Sequence, residues 1–351
     1  EPGGMENFVA DLCAAQCKQG HRIYVLAHQA EFSRPGRVEN ISGVTVERVR
    51  TFGQLAFTPV CPEFCFRLRK VMRQFKPDVV HAHLPNVSAF WLLFAAIRSR
   101  LVIHWHSDVV ASAIERKMAF LYCLYRPWEQ ALLKKADSII CTSRPYLKHS
   151  KALRNWKQKS VVIPLGLDPE RLRPGPLPAD QDDRCFSVLY VGRFAYYKGI
   201  EYLIAAAQLV PGVRFVLIGD GRRHADVKRR VFEKGLQRRV RLPGRVDATA
   251  LKELLVRCDL LCLPSIERTE AFGLVLLEAM FHGKPLITTA IAGSGVTGVN
   301  IHGVTGLSVP PKNPEAIAAA VNRLRRDPAK RIQMGRQAKA HFQRSYQIQH
   351  I

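Results

Sequence analysis

Short apolar runs rich in β-branched residues alternate with helical patterns along nearly the whole chain, in two series parted by a Pro-rich, acidic stretch. Residues 22–27, 78–83, 100–104, 138–142 and 160–163 read as strands of the first series, with helical patterns such as 5–19 and 63–75 between them. Residues 187–191, 214–218, 240–242, 260–263, 286–289 and 305–309 form the second, with helices at 199–209, 248–257, 274–282 and 314–326. Strands joined through helices pair in parallel, and the helices cover both faces of the sheet. The expected fold class is therefore α/β, with two doubly wound, Rossmann-like domains. Between the series lie Pro164-Leu165-Gly166-Leu167-Asp168-Pro169, then Pro174-Gly175-Pro176-Leu177-Pro178 and Asp180-Gln181-Asp182-Asp183, which lack periodicity and read as a linker. This places an N-terminal domain at 1–165, a C-terminal domain at 166–335, and at 336–351 the start of a segment returning to the first domain. Parallel sheets bind ligands beyond the carboxyl ends of their strands. The expected site is thus a cleft between two facing domains.

Hydrophobic residues make up 47% of the 351, enough for two ordinary cores. The longest apolar runs, near 87–97 and 118–125, are too short to span a bilayer. No secretory signal is read at the start; Glu1-Pro2-Gly3-Gly4 looks like a loop entered from an absent strand, and the chain is read as stopping within its return segment. Without such a signal, the sequons at Asn40 and Asn86 carry little weight. Nine cysteines form no Cys-x-x-Cys pair, which speaks against structural zinc and for reduced core thiols in a cytoplasmic setting. Lys and Arg exceed Asp and Glu by 53 − 29 = 24, a field that attracts anions. The cations are dispersed in small clusters, with no basic tail, zinc finger, recognition helix or RNA-binding aromatic signature, so nucleic acid is not the expected partner.

Five places carry candidate chemistry. After the strand ending at Gly192, Arg193 and Lys198 sit five positions apart before a helix that begins at Gly199. Arg193 can fork onto phosphate oxygens and Lys198 adds a compact charge; the bland reading is two solvated cations. Gly219-Asp220-Gly221 follows another strand, and its glycines allow a ligand close to the backbone, as do those of many ordinary turns. Glu270 stands where a loop meets a helix, and Glu278 lies two turns on among apolar residues. A carboxylate there needs a partner, and a ribose diol accepted by Glu278 is a suitable one; a core ion pair is the alternative. Gly3-Gly4-Met5-Glu6 precedes a helix and forms either an anion cradle or a simple turn. His104 and His106 close a strand of the first domain and are expected on opposite faces, with His106 a candidate hydrogen-bond donor to sugar or phosphate. A zinc site from His81, His83, His104 and His106 lacks an acid partner, and Asp180-Gln181-Asp182 reads as solvated linker rather than as a metal site; no metal is expected.

Taken in order, these residues resemble the family 4 retaining glycosyltransferases, which have the GT-B fold. The resemblance covers nearly the whole chain. It is carried by Gly3-Gly4-Met5-Glu6, Val79-Val80-His81-Ala82-His83, His104-Trp105-His106-Ser107-Asp108, Pro164-Leu165-Gly166-Leu167-Asp168, Val191-Gly192-Arg193 with Lys198-Gly199, Gly219-Asp220-Gly221, and Glu270 with Glu278. It implies that Arg193 and Lys198, with the backbone of Gly3 and Gly4, bind a nucleotide-sugar donor's diphosphate. By the same resemblance Glu270 contacts the transferred sugar, Phe272, Gly273 and Leu274 frame sugar and diphosphate, and Glu278 holds the ribose. Arg245 and Val246 meet the base, and His106 lies near the reacting sugar. It further implies that the leaving diphosphate helps deprotonate the acceptor, with no protein nucleophile and no cofactor.

Finer similarity points to bacterial surface-polysaccharide mannosyltransferases. It rests on Gly192-Arg193-Phe194-Ala195-Tyr196-Tyr197-Lys198-Gly199, on Gly293-Ser294-Gly295-Val296-Thr297-Gly298-Val299-Asn300 and on His302-Gly303-Val304-Thr305-Gly306-Leu307. It implies GDP-mannose as donor and a glycan or lipid-linked acceptor at the inner face of a membrane. The positive charge suits an anionic leaflet, with Lys117, Lys134, Lys135, Phe120, Tyr122 and Trp128 as contacts. A nucleotide-sugar epimerase of the same fold is the rival enzyme.

Overall fold

A computed structural model of the chain describes residues 3–32, 34–55, 58–109, 116–176 and 185–351. The chain divides into two compact units, Val9–Ile163 and Pro164–Ile351, the latter with residues 3–8. Helix α1 (Gly4–Lys18) opens the described chain. In the first unit β1 (Tyr24–His28) pairs in parallel with β3 (Val44–Val49), and β2 (Arg37–Ile41) runs antiparallel to β3. The hairpin β4 (Gly53–Leu55) and β5 (Thr58–Val60) follows, then α2 (Phe64–Gln74). Strands β6 (Val79–Leu84), β7 (Arg100–Trp105), β8 (Ser138–Cys141) and β9 (Ser160–Val162) form a parallel sheet in sequence order. A 3-10 segment, Val87–Leu93, and helices α3 (Arg116–Lys135) and α4 (Arg144–His149) connect them.

The second unit is one six-stranded parallel sheet of β10 (Ser187–Val191), β11 (Arg214–Ile218), β12 (Val240–Gly244), β13 (Leu260–Leu263), β14 (Leu286–Thr289) and β15 (Gly306–Val309). Its helices are α5 (Pro169–Leu172), α6 (Ile200–Leu209), α7 (His224–Glu233), α8 (Ala248–Arg257), α9 (Leu274–Phe281), α10 (Val296–Val299), α11 (Pro314–Arg326) and α12 (Pro328–Ser345). Strands covered on both faces lose the polar alternation of a half-exposed sheet. Accordingly β13 and β14 are buried at every position, and Phe215, Leu217, Leu260, Leu276 and Ile287 are among the core residues. Each such side chain stabilises by roughly 1.5–3 kcal/mol. Residues 336–351 lie in this unit: Leu167 donates its N–H to the carbonyl of Tyr346 (2.9 Å) and accepts from the N–H of Ile348 (3.0 Å).

The strand order is β12-β11-β10-β13-β14-β15. The chain winds outward from β10 in one direction and from β13 in the other. The order therefore reverses between them, and such a switch point is where open parallel sheets bind ligands.

Candidate functional site

Two loops are stitched together at that switch point. The loop after β10 tightens into a 3-10 turn, Tyr196–Lys198, and reverses at Gly199, whose φ is 62°. A Cβ on Gly199 would collide with the carbonyl oxygen of Pro264, so no other residue fits without moving the loop. Beside it, the N–H of Ile266 donates to the carbonyl of Tyr197 (2.7 Å). This brings the loops after β10 and β13 together and sets Lys198 Nζ 2.6 Å from Glu270 Oε2. Both residues are buried. The Ser265 hydroxyl donates to the same carboxylate oxygen (2.8 Å). Behind them, Ser294 donates to the carbonyl of Glu270 and Thr289 to the carbonyl of Ser265. Burial disfavours the Lys198 charge, but the adjacent Glu270 carboxylate outweighs it and holds the ammonium above its ordinary pKa. A buried ion pair is a poor way to gain stability, because desolvation consumes most of the attraction. What it does provide is a carboxylate and an ammonium fixed in orientation.

Arg193 is exposed on the same loop. Phe194 N–H donates to the carbonyl of Asp220 (2.9 Å), so this loop abuts the Gly219-Asp220-Gly221 turn after β11. Gly219 has φ 137°, and a Cβ there would strike the carbonyl of Gly192. The close approach that Gly219 and Gly221 permit here is to the chain's own backbone at 192–194. Gly219 N–H donates to the carbonyl of Gly244 (2.9 Å), which brings exposed Arg245 and half-buried Val246 next in line.

The helix starts around this edge differ. Asp247 and Asn313 cap α8 and α11 through side-chain bonds of 2.8 Å each. Helices α6 and α9 begin at Gly199 and Gly273, without a side-chain cap. Their first N–H groups carry the positive end of the helix dipole, an arrangement suited to anions. Gly4 sits on the first turn of α9, where a Cβ would lie 3.1 Å from Leu274 Cδ1. Phe272 is buried and meets Tyr346 edge-on (centroids 6.0 Å apart), and Leu274 is half-buried. Glu278 is half-buried on α9, between buried Leu277 and Ala279.

Arg193, Lys198, Glu270 and Glu278 were expected to converge across a gap between domains. All four belong to the second unit, because β10, β13 and α9 are parts of one sheet and its cover. The Lys198–Glu270 bond was not foreseen, nor were the supporting hydroxyls of Ser265, Ser294 and Thr289. Ser265 directly after an apolar strand was the visible clue.

In the first unit His104 and His106 lie on the same face, not on opposite ones. Side chains alternate with period two, so positions i and i+2 share a side. Their rings stack 4.4 Å apart with planes 1° from parallel. His83 pairs with His104 in register, and His83 Nδ1 lies 2.9 Å from His106 Nε2. His81 completes the stack, 4.6 Å from His83. Burial lowers the pKa of all four, and neighbouring imidazoles add to it at His83, His104 and His106. They are neutral at neutral pH. Ring nitrogens of His81, His83 and His104 lie within 4.8 Å of one another. A tetrahedral ion needs in-plane lone pairs that converge from different directions, whereas near-parallel rings send theirs side by side. The Asp180-Gln181-Asp182 stretch and the side chain of Lys117 lie outside the described residues.

Comparison with known proteins supplies a context for this geometry. Residues 2–171 match the model of Glycosyltransferase Family 4, and residues 179–341 that of Glycosyl transferases group 1. The chain is 33% identical to the D-rhamnosyltransferase WbpZ of Pseudomonas aeruginosa, over 98% of this chain and 88% of that protein. It is 30% identical to the O-antigen chain mannosyltransferase C of Escherichia coli, over 85% of this chain and 78% of the relative. Among solved structures, the sucrose-phosphate synthase of Thermosynechococcus elongatus superposes with a TM-score of 0.80 at 25% identity, covering 98% of this chain and 90% of that one.

Proposed function

The chain belongs to the family 4 glycosyltransferases, of GT-B fold, and on that premise we propose that it transfers mannose from GDP-mannose, with retention, to a glycan or lipid-linked acceptor during surface-polysaccharide synthesis. The observation that carries this reading is the buried Lys198–Glu270 pair at the switch point, flanked by the uncapped starts of α6 and α9. Breaking a glycosidic bond to a nucleotide places negative charge on the departing diphosphate. Arg193, Lys198, the N–H groups of those two helices and the backbone of Gly3 and Gly4 stabilise charge where it develops. Lys198 and Ser265 fix the Glu270 carboxylate toward the hydroxyls of the transferred sugar, with Phe272, Gly273 and Leu274 framing it. Glu278 accepts the ribose hydroxyls, and Arg245 and Val246 flank the base. His106, neutral and oriented by His83, hydrogen-bonds the sugar. An oxygen of the leaving diphosphate takes the acceptor's proton on the face of departure, so no protein nucleophile is needed.

One relative named above is an O-antigen chain mannosyltransferase and another a D-rhamnosyltransferase, which supports mannose and a polysaccharide acceptor. The test is a panel of nucleotide sugars monitored for nucleoside diphosphate release, with Glu270→Ala as control. GDP-mannose is expected to turn over fastest and to do so in excess chelator. Preference for another donor removes the mannose assignment. Complete loss with chelator, restored by magnesium, removes the metal-free mechanism. Isomerised donor formed without any acceptor would establish an epimerase instead.

A further inference from the structure

We propose that Tyr197 is a further donor-binding residue, whose phenolic hydroxyl donates a hydrogen bond to the sugar-side phosphate of the nucleotide-sugar. Resting on the donor reading above, this adds a neutral contact to those of the cations and the helix amides. Three tyrosines, Tyr190, Tyr196 and Tyr197, lie on β10 and the turn that follows it. They meet different surroundings. Tyr190 is fully buried, and its hydroxyl donates to the carbonyl of Arg193 (3.3 Å). The ring of Tyr196 lies 5.9 Å from Arg223, whose guanidinium is bonded to Glu201 and Asp226. Tyr197 lies beside the Lys198–Glu270 pair, with its ring centroid 5.4 Å from Lys198 Nζ. Its carbonyl accepts from the N–H of Ile266 (2.7 Å), which pins the turn on which the side chain stands. That side chain is half-buried, yet its hydroxyl makes no hydrogen bond to any described residue. A tyrosine tip that leaves water normally finds a partner. Phenylalanine would make the same ring contact with Lys198, so the unbonded hydroxyl is the feature in need of a role.

The neighbouring charges select what this hydroxyl can meet. Burial raises the phenol's pKa, the Lys198 ammonium lowers it, the Glu270 carboxylate raises it and Arg193 lowers it, and the balance is upward. The group therefore stays protonated at neutral pH and acts as a donor. Two of these three charges, Lys198 and Arg193, are the cations that suit a diphosphate. A neutral phenol can donate to the same anion without the repulsion that a third cation would bring. Glu270 faces the transferred sugar in the donor reading, so a hydroxyl within its field stands at the sugar end of the diphosphate rather than at the nucleoside end. Negative charge develops there as the glycosidic bond breaks, and a hydrogen bond already aimed at that oxygen strengthens as it does. Tyr197 keeps its proton throughout; the acceptor's proton goes to the diphosphate as before.

The test is calorimetric binding of GDP against GMP, and of UDP against UMP, to the full chain and to Tyr197→Phe. Phenylalanine keeps the ring beside Lys198 and removes only the hydroxyl. Since that hydroxyl has no partner among the described residues, the melting temperature is expected to stay unchanged. The dissociation constant of the diphosphate is expected to rise roughly 10-fold or more, as for loss of a hydrogen bond to a charged group. That of the monophosphate, which lacks the sugar-side phosphate, should stay the same. Turnover of the nucleotide-sugar should fall at least as far as diphosphate affinity, and Tyr196→Phe should alter neither. Equal diphosphate binding by parent and Tyr197→Phe overturns the proposal. So does equal weakening toward diphosphate and monophosphate, which would put the contact away from the sugar-side phosphate. A lowered melting temperature with unchanged diphosphate affinity also overturns it, since the hydroxyl would then be structural. A parent that binds uridine but not guanosine phosphates overturns the mannose reading alone, and UDP against UMP then decides on Tyr197. A parent that binds none of the four overturns the donor reading and this proposal together.

Discussion

Lys198 and Glu270 are buried with their charges, whereas buried His104 and His106, stacked with half-buried His81 and His83, carry none. The first cluster meets the desolvation penalty by pairing opposite charges at 2.6 Å and adding the Ser265 hydroxyl. The second meets it by giving up protons, since burial lowers every one of the four pKa values. The contrast teaches what each cluster can do. A fixed ion pair presents permanent charge to an anionic leaving group. A neutral imidazole stack presents hydrogen-bonding edges without repelling or attracting that group over distance.

Breaking the first cluster should produce the largest effect. Lys198→Met leaves the Glu270 carboxylate buried without its ammonium, at an expected loss of about 3–5 kcal/mol in denaturant unfolding. Donor turnover should fall by roughly 10²–10³-fold in the same protein. A variant that unfolds like the parent would show the pair to be solvated and the contrast empty.

The second cluster should respond to acid. His81 titrates near 6.5 when unfolded and about 4 when folded, so between those values the unfolded chain binds more protons. Stability is complete above about pH 6.5 and is lost as the pH falls toward 4, by up to roughly 3 kcal/mol from this residue alone. His81→Leu should flatten that part of the profile, followed by thermal melts across the range. An unchanged slope would mean that His81 is not the group responsible.

Arg193 sharpens the comparison from outside both clusters. It is exposed, so Arg193→Ala should alter stability by less than ~0.5 kcal/mol. Its KM for donor should nevertheless rise roughly 10-fold, the worth of one charged hydrogen bond. A KM unchanged within error would remove Arg193 from donor binding.

The strands of the second unit were legible because they are covered on both faces and so read as short runs dominated by apolar and β-branched residues; 187–191, 214–218, 260–263 and 286–289 coincide with β10, β11, β13 and β14. Strand β2 was not, because Arg37, Val38, Asn40 and Ile41 are exposed and show no alternation. Helix α12 was passed over although its signals were present: Asp327 and Pro328 at its start, then buried Met334, Ala338 and Phe342 every fourth residue. Arg193, Lys198, Glu270 and Glu278 stand out in the sequence by type and spacing. The pairing of Lys198 with Glu270 does not, since 72 residues separate them and only the adjacency of β10 and β13 joins their loops. The face of His104 and His106 was legible and misread.

Helices α6 and α9 start on Gly199 and Gly273, with no side chain capping their leading amides. A main-chain amide has no codon of its own, so substitution at these positions can displace it but not delete it. Under the donor reading, the hold on the diphosphate is inherited with the backbone, while the side chains that choose the sugar remain open to drift. Descendants of such a chain can exchange one hexose for another and keep the same leaving group throughout.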